Sequence, residues 1–113
     1  DDYSQIIAQH TVSVIEEKGS IVGVVVLMEK EDGMLLDNVA VDPDYQGQGL
    51  GRQLIEWAHA EVHRRGFDQI SLYTHEKMTQ NIHIYQKLGY LESERRREYG
   101  YDRVYMKKYL KNH

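Results

Sequence analysis

The chain has 113 residues, the length of one domain, with 41% hydrophobic residues, a formal net charge of −4 and no cysteine. The acidic balance argues against a nucleic-acid partner, and the lack of thiols excludes a disulfide framework and a cysteine nucleophile. No apolar run approaches the ~20 residues of a membrane span and no secretion signal opens the chain, so a cytoplasmic protein is expected, with no membrane partner.

The opening residues, DDYSQIIAQ, look like the end of a helix and lack an initiator Met. They suggest a fragment whose first element has been lost. Residues 11–16, TVSVIE, alternate apolar and polar side chains and predict a strand. A turn at 17–20 follows, and 21–28, IVGVVVLM, predicts a β-branched strand buried on both faces, completing a hairpin. After a charged loop, 34–41 predicts a third strand, with Leu35, Asp37, Val39 and Val41 on one face and Leu36, Asn38 and Ala40 on the other. Asp42-Pro43-Asp44 ends it with turn chemistry.

Residues 50–65 predict a helix. Leu50, Leu54, Ala58 and Val62 form an apolar stripe widened by Ile55, and Gly66 is its stop. Residues 67–74 predict a strand with Ile70 and Leu72 inward. Residues 78–88 predict a second helix with Met78, Ile82, Tyr85 and Leu88 on one face, stopped by Gly89. Strands are expected at 90–98 and 103–110 around the turn 99–102. A strand-helix-strand centre flanked by hairpins implies a mixed sheet with flanking helices, an α/β (α+β) class, in one domain spanning 1–113.

Between the third strand and the first helix, Gln46-Gly47-Gln48-Gly49-Leu50-Gly51-Arg52 places glycine at every second position. Bare backbone beside a helix start offers unpaired N–H groups and a partial positive charge, an anion site suited to a phosphate or pyrophosphate. The ATP-loop pattern is absent, since no Lys-Ser or Lys-Thr follows. The dinucleotide pattern GxGxxG fails because Arg52 stands where its last glycine belongs.

The same residues resemble the Q/R-x-x-G-x-G/A signature of the GNAT N-acetyltransferases. The preceding VAVDPDYQ is similar to that family's strand and turn, and Ile84-Tyr85-Gln86-Lys87-Leu88-Gly89-Tyr90 resembles its L-Y-x-K-x-G-F motif. The likeness runs from about Thr11 to Leu110. It implies a GNAT fold with splayed parallel strands, one further strand and helix ahead of Asp1, and acetyl-CoA as cosubstrate. Backbone amides of residues 46–52 would then hold the pyrophosphate, and the backbone of Val39, Ala40 and Val41 would pair with the pantetheine arm. The Val41 N–H would polarise the thioester carbonyl. Tyr85 would protonate the leaving thiolate by direct transfer, with no acetyl-enzyme. The alternative for Val39 and Val41 is core packing, and for Tyr85 a plain core aromatic. Where the family often has Asn, seven residues before the tyrosine, this chain has Met78; Asn81 is the polar group that remains for a cosubstrate contact.

The general base stays open among Asp37, Asn38, His75, Glu76 and a water chain. An amine acceptor is implied, small molecule or protein, and the family allows a homodimer. A non-catalytic acetyl-CoA sensor is the alternative function; a nucleotide hydrolase ranks last. His59 and His63 are four residues apart, but HAEVH is not HExxH, and a solvated helix face is expected rather than a metal site. Arg95-Arg96-Arg97 between glutamates reads as an ion-paired outer strand. Tyr99, Tyr101 and Tyr105 read either as acceptor or dimer contacts or as half-buried strand aromatics.

Overall fold

The computed structural model describes residues 10–31 and 33–110, so the helix end expected at residues 1–9 lies outside the described residues. In chain order the elements are β1 (His10–Glu17), β2 (Ser20–Lys30), β3 (Gly33–Val41), a 3-10 turn (Pro43–Tyr45), α1 (Leu50–Arg64), β4 (Gln69–His75), α2 (Thr79–Lys87), β5 (Leu91–Glu98) and β6 (Tyr101–Tyr109). The strands form one mixed sheet in the order β1-β2-β3-β4-β6-β5. Only β3 and β4 run parallel, joined through α1 as the strand-helix-strand pattern predicts.

Both outer hairpins turn on two residues. Lys18 and Gly19 have φ of 52° and 81°, Tyr99 and Gly100 of 53° and 80°. Two successive positive φ values match the twist of the strands they join. β6 therefore starts at Tyr101, inside the stretch expected as turn.

Both helices pack against one core cluster. It is built around Val25 and Leu27 of β2, Ile70 and Leu72 of β4 and the stripe Leu54, Ala58 and Val62 of α1. β2 is not buried on both faces. Val25 and Leu27 have no exposed surface, whereas Val24, Val26 and Met28, on the other side of the strand, are half-buried. Ile82 and Tyr85 of α2 and Leu88 just past its end join the cluster, but Met78 does not; it stands just before the helix and is 48% exposed.

β3 departs from simple alternation. Val26 of β2 faces Asn38, and the next residue, Leu27, faces Leu36. Asp37 is the extra residue of a β-bulge, which shifts the side-chain phase and bends the strand. Leu36 lies in the core, as do Val39 and Val41 in part, while Asp37 and Asn38 are exposed. The expected grouping of Leu35 with Asp37, Val39 and Val41 is broken by this single insertion.

Tyr90 lies between the helices and the sheet and is wholly buried. Its hydroxyl is 2.7 Å from Nε2 of His59 on α1. His59 is thus half-buried and partnered, not part of a solvated face. Desolvation, then the charge of Lys108 on β6, lower its pKa to about 4 against the pull of Glu56 one turn away. The Nδ1–H tautomer of the neutral ring leaves Nε2 to accept the Tyr90 O–H.

Two stability outcomes are expected. Ile70→Ala, at a fully buried site, should cost about 2–5 kcal/mol in urea unfolding, while Leu91→Ala, 70% exposed, should stay within about 0.5 kcal/mol. Because folding lowers the His59 pKa from 6.5 to about 4, the unfolded state binds more protons between these values. Its contribution is full above pH 6.5 and declines as pH falls toward 4. Melting temperatures across that window should fall less in His59→Gln than in the unaltered chain.

Candidate functional site

The parallel pairing of β3 and β4 lasts two residues, Met34 with Ile70 and Leu35 with Ser71. Ser71 Oγ donates to the Met34 carbonyl at 3.3 Å and clasps this junction. Beyond it the strands part. Residues 36–39 of β3 and 72–74 of β4 form the walls of a cleft, with Asn81 and Tyr85 of α2 also lining it.

The register decides which backbone groups face this cleft. The Asp42 N–H donates to the Val22 carbonyl at 2.8 Å, and Val41 lies opposite Gly23 and Val39 opposite Val25. In an antiparallel ladder this marks both as non-hydrogen-bonded pairs. The N–H and C=O of Val39 and Val41 therefore turn away from β2 toward the open edge, whereas those of Ala40 turn toward β2. The Val39 and Val41 side chains pack against the core, so packing and an exposed backbone edge coexist in the same residues.

At the end of β3 the chain is tied down. Asp42 Oδ1 accepts from the Asp44 N–H at 2.8 Å, and Gln46 Nε2 donates to the Val41 carbonyl at 3.3 Å. Val41, Tyr45, Gln46, Gly47, Gly49, Leu50 and Gly51 line a second depression, which shares β3 with the first. Gly47 and Gly49 have φ of 83° and 81°, a conformation that side chains strain to adopt. Gly49 is the N-cap of α1; it supplies no side-chain cap, and the first turn carries no acidic residue. The helix start thus keeps its unpaired N–H groups and positive end available to an anion. Gln48 and Arg52 are exposed, and Arg52 Nε is 3.2 Å from Glu56 on the surface of α1.

Tyr85 is half-buried, and burial raises its phenol pKa above 10.0. It is protonated at neutral pH, as a proton donor must be. Asn81 lies one turn earlier on the same cleft. Of the candidates for the general base, Asp37 and Asn38 line the cleft. His75 and Glu76 are otherwise engaged: His75 Nδ1 accepts from the Lys77 N–H at 3.1 Å, and Glu76 lies 3.8 Å from Arg95.

The arginines of β5 are ion-paired, Arg95 with Glu92 at 2.8 Å, Arg96 with Glu94, and Arg97 with Asp102 at 3.0 Å. Tyr99 and Tyr101 are exposed. Tyr105 stacks on Tyr73 with centroids 5.4 Å apart and donates to Glu98 at 2.5 Å. Among the described residues no group of three or more His, Asp or Glu could hold a metal, and no helix is long and apolar enough to cross a membrane.

Comparison with known proteins places these features in context. Residues 8–92 match the model of the acetyltransferase (GNAT) domain. A ribosomal protein bS18 alanine N-acetyltransferase of Escherichia coli is 43% identical over 68 residues, which cover 60% of this chain and 46% of that protein. A mycothiol acetyltransferase of Thermobispora bispora is 42% identical over 52 residues, 46% of this chain and 18% of the relative. These matches thus span less than half the length of either relative. The crystal structure of the E. coli bS18 alanine enzyme superposes with a TM-score of 0.80 at 29% identity, covering 93% of this chain and 72% of that one. A GNAT acetyltransferase of Elizabethkingia anophelis, solved with acetyl-CoA bound, shares the fold with a TM-score of 0.83 at 20% identity, over 95% of this chain and 80% of that one.

The glycine loop yields a paired outcome. Gly49→Ala should cost about 1–2 kcal/mol through its left-handed backbone, although the space around it is open. Gly51 lies in helical backbone, and an added Cβ would first meet Val41 Cγ2 at 3.8 Å. Gly51→Ala should therefore leave stability unchanged or raise it by up to about 1 kcal/mol. Urea unfolding of the two variants checks the pair.

Proposed function

The chain belongs to the GNAT acetyltransferase family, and from that premise we propose that it transfers the acetyl group of acetyl-CoA to a primary amine by direct attack. The observation that carries this reading is the convergence of three features along β3: its own opened backbone edge, the uncapped start of α1 and the half-buried phenol of Tyr85 on α2. They fit a ligand with a diphosphate at one end and an extended, amide-bearing arm at the other.

The N–H groups of residues 47–52 and the positive end of α1 bind the diphosphate; of the expected run 46–52, the Gln46 N–H is taken by the Pro43 carbonyl at 3.5 Å. The exposed backbone of Val39 and Val41 pairs with the arm as a neighbouring strand would. The Ala40 N–H and C=O face β2, so the pairing expected of Ala40 falls to its neighbours Val39 and Val41. The Val41 N–H is the donor that meets negative charge developing on the carbonyl oxygen. Gln46 occupies the Val41 carbonyl and fixes the strand end. Asn81 offers a polar contact to the arm, and Tyr85 gives its proton to the departing sulfur.

Asp37 is the carboxylate that the bulge presents to the cleft. In this reading it receives the cationic amine and helps remove its proton. The relatives are named for acting on an alanine of a ribosomal protein and for mycothiol acetylation, so a peptide with a free N-terminal alanine and small amines head the acceptor panel.

The test is calorimetric titration with acetyl-CoA, followed by thiol release across that panel. Tyr85→Phe should lower kcat on the order of a hundredfold with little change in acetyl-CoA affinity. Asp37→Asn should raise KM for the acceptor more than KM for acetyl-CoA. If acetyl-CoA does not bind, the proposal fails at its centre. Binding without turnover on any acceptor would favour the sensor function instead.

A further inference from the structure

We propose that Tyr90 and His59 are positioning residues for Tyr85, forming a brace that ties its ring to the helix whose start carries the glycine loop. The inference rests on the reading of Tyr85 as the proton donor.

Helix α2 is anchored more lightly than α1. It is nine residues long and contributes no fully buried residue. A donor at its cleft-facing side needs its hydroxyl fixed within hydrogen-bond reach of the reacting atom, and a displacement near 1 Å is costly to rate. The structure supplies the restraint from outside α2. The Tyr90 ring meets the Tyr85 ring edge-on, with centroids 5.6 Å apart and planes at 69°. The Tyr90 N–H donates to the Tyr85 carbonyl at 3.0 Å, closing the chain back on itself. Lys108 Nζ donates to the Leu88 carbonyl at 2.6 Å and pins the turn between the two tyrosines.

Phenylalanine would fill the Tyr90 site as well, with no polar atom to bury. The hydroxyl adds one thing, its 2.7 Å contact with His59 on α1. His59 packs its ring on Tyr90 as well, with centroids 5.6 Å apart. From Gly49 through α1, His59 and Tyr90 to Tyr85, the loop that would seat the cosubstrate is linked to the group that would protonate the leaving sulfur. His59 and Tyr90 line neither the cleft nor the depression at the glycine loop; Tyr90 meets the cleft lining at Tyr85, so their action is through Tyr85.

The experiment is a double-mutant cycle on kcat, with folding of each variant checked by thermal melting. Tyr90→Phe should lower kcat about tenfold, leave KM for acetyl-CoA unchanged and shift the alkaline limb of the kcat–pH profile. In the Tyr85→Phe background it should cause no further loss, because residues acting as a unit are non-additive. His59→Gln, whose amide oxygen still accepts from Tyr90, should retain more activity than His59→Ala.

Equal losses from Tyr90→Phe in both backgrounds, or no loss in either, would overturn the brace while leaving Tyr85 in place. If Tyr85→Phe alone leaves kcat unchanged, the donor reading fails first and takes the brace with it. That result comes from the single variant and is distinguishable from the others.

Discussion

Two pairs of residues hold the two halves of the sheet together. Met34 with Ile70 and Leu35 with Ser71 make the parallel contact between β3 and β4, and the bulge at Asp37 bends β3 away just past it. A longer pairing would consume the backbone groups of residues 36–41. A shorter one would leave the β1-β2-β3 and β4-β6-β5 sets joined only through α1 and its core. The junction is thus a compromise between cohesion and an open strand edge, and the core beneath it, from Leu36 to Leu72, is what makes so short a ladder sufficient.

The cleft inherits its chemistry from this geometry more than from any one side chain. Unpaired strand edges and unpaired helix starts are costly when buried and bind readily when exposed. Here both occur within one connection, from Val39 to Arg52. The rigid parts of that connection are fastened by ordinary means. The Asp42 cap, the Gln46 side chain on the Val41 carbonyl and the β2 ladder hold it at its β3 end. What is left free is a run of N–H groups.

Much of this was legible in the sequence. Apolar periodicity, a β-branched run and turn residues placed the strands and helices of the described residues in order, because these signals are local to each element. The glycine spacing marked the loop, because left-handed backbone at Gly47 and Gly49 demands that residue type. What was not legible depended on partners far along the chain. Asp37 reads as one more alternating residue until the register with β2 is known. Met78 reads as helix face until the helix is seen to begin after it. His59 reads as a solvated residue because its partner Tyr90 lies 31 positions away. The one local sign was the tyrosine at position 90 where the motif carries phenylalanine, since a buried hydroxyl requires a mate.

The outer strand β5 has a consequence beyond its ion pairs. Its sequence LESERRRE exposes seven of eight side chains and, among the described residues, leaves one edge of the sheet with no strand beside it. Such an edge is a template for a foreign strand. An extended apolar segment laid along it would have to strip water from three guanidinium groups and three carboxylates already matched among themselves and their neighbours. The charge row therefore acts as a selvage: the weave of the sheet stops there, and the open border stays hydrated.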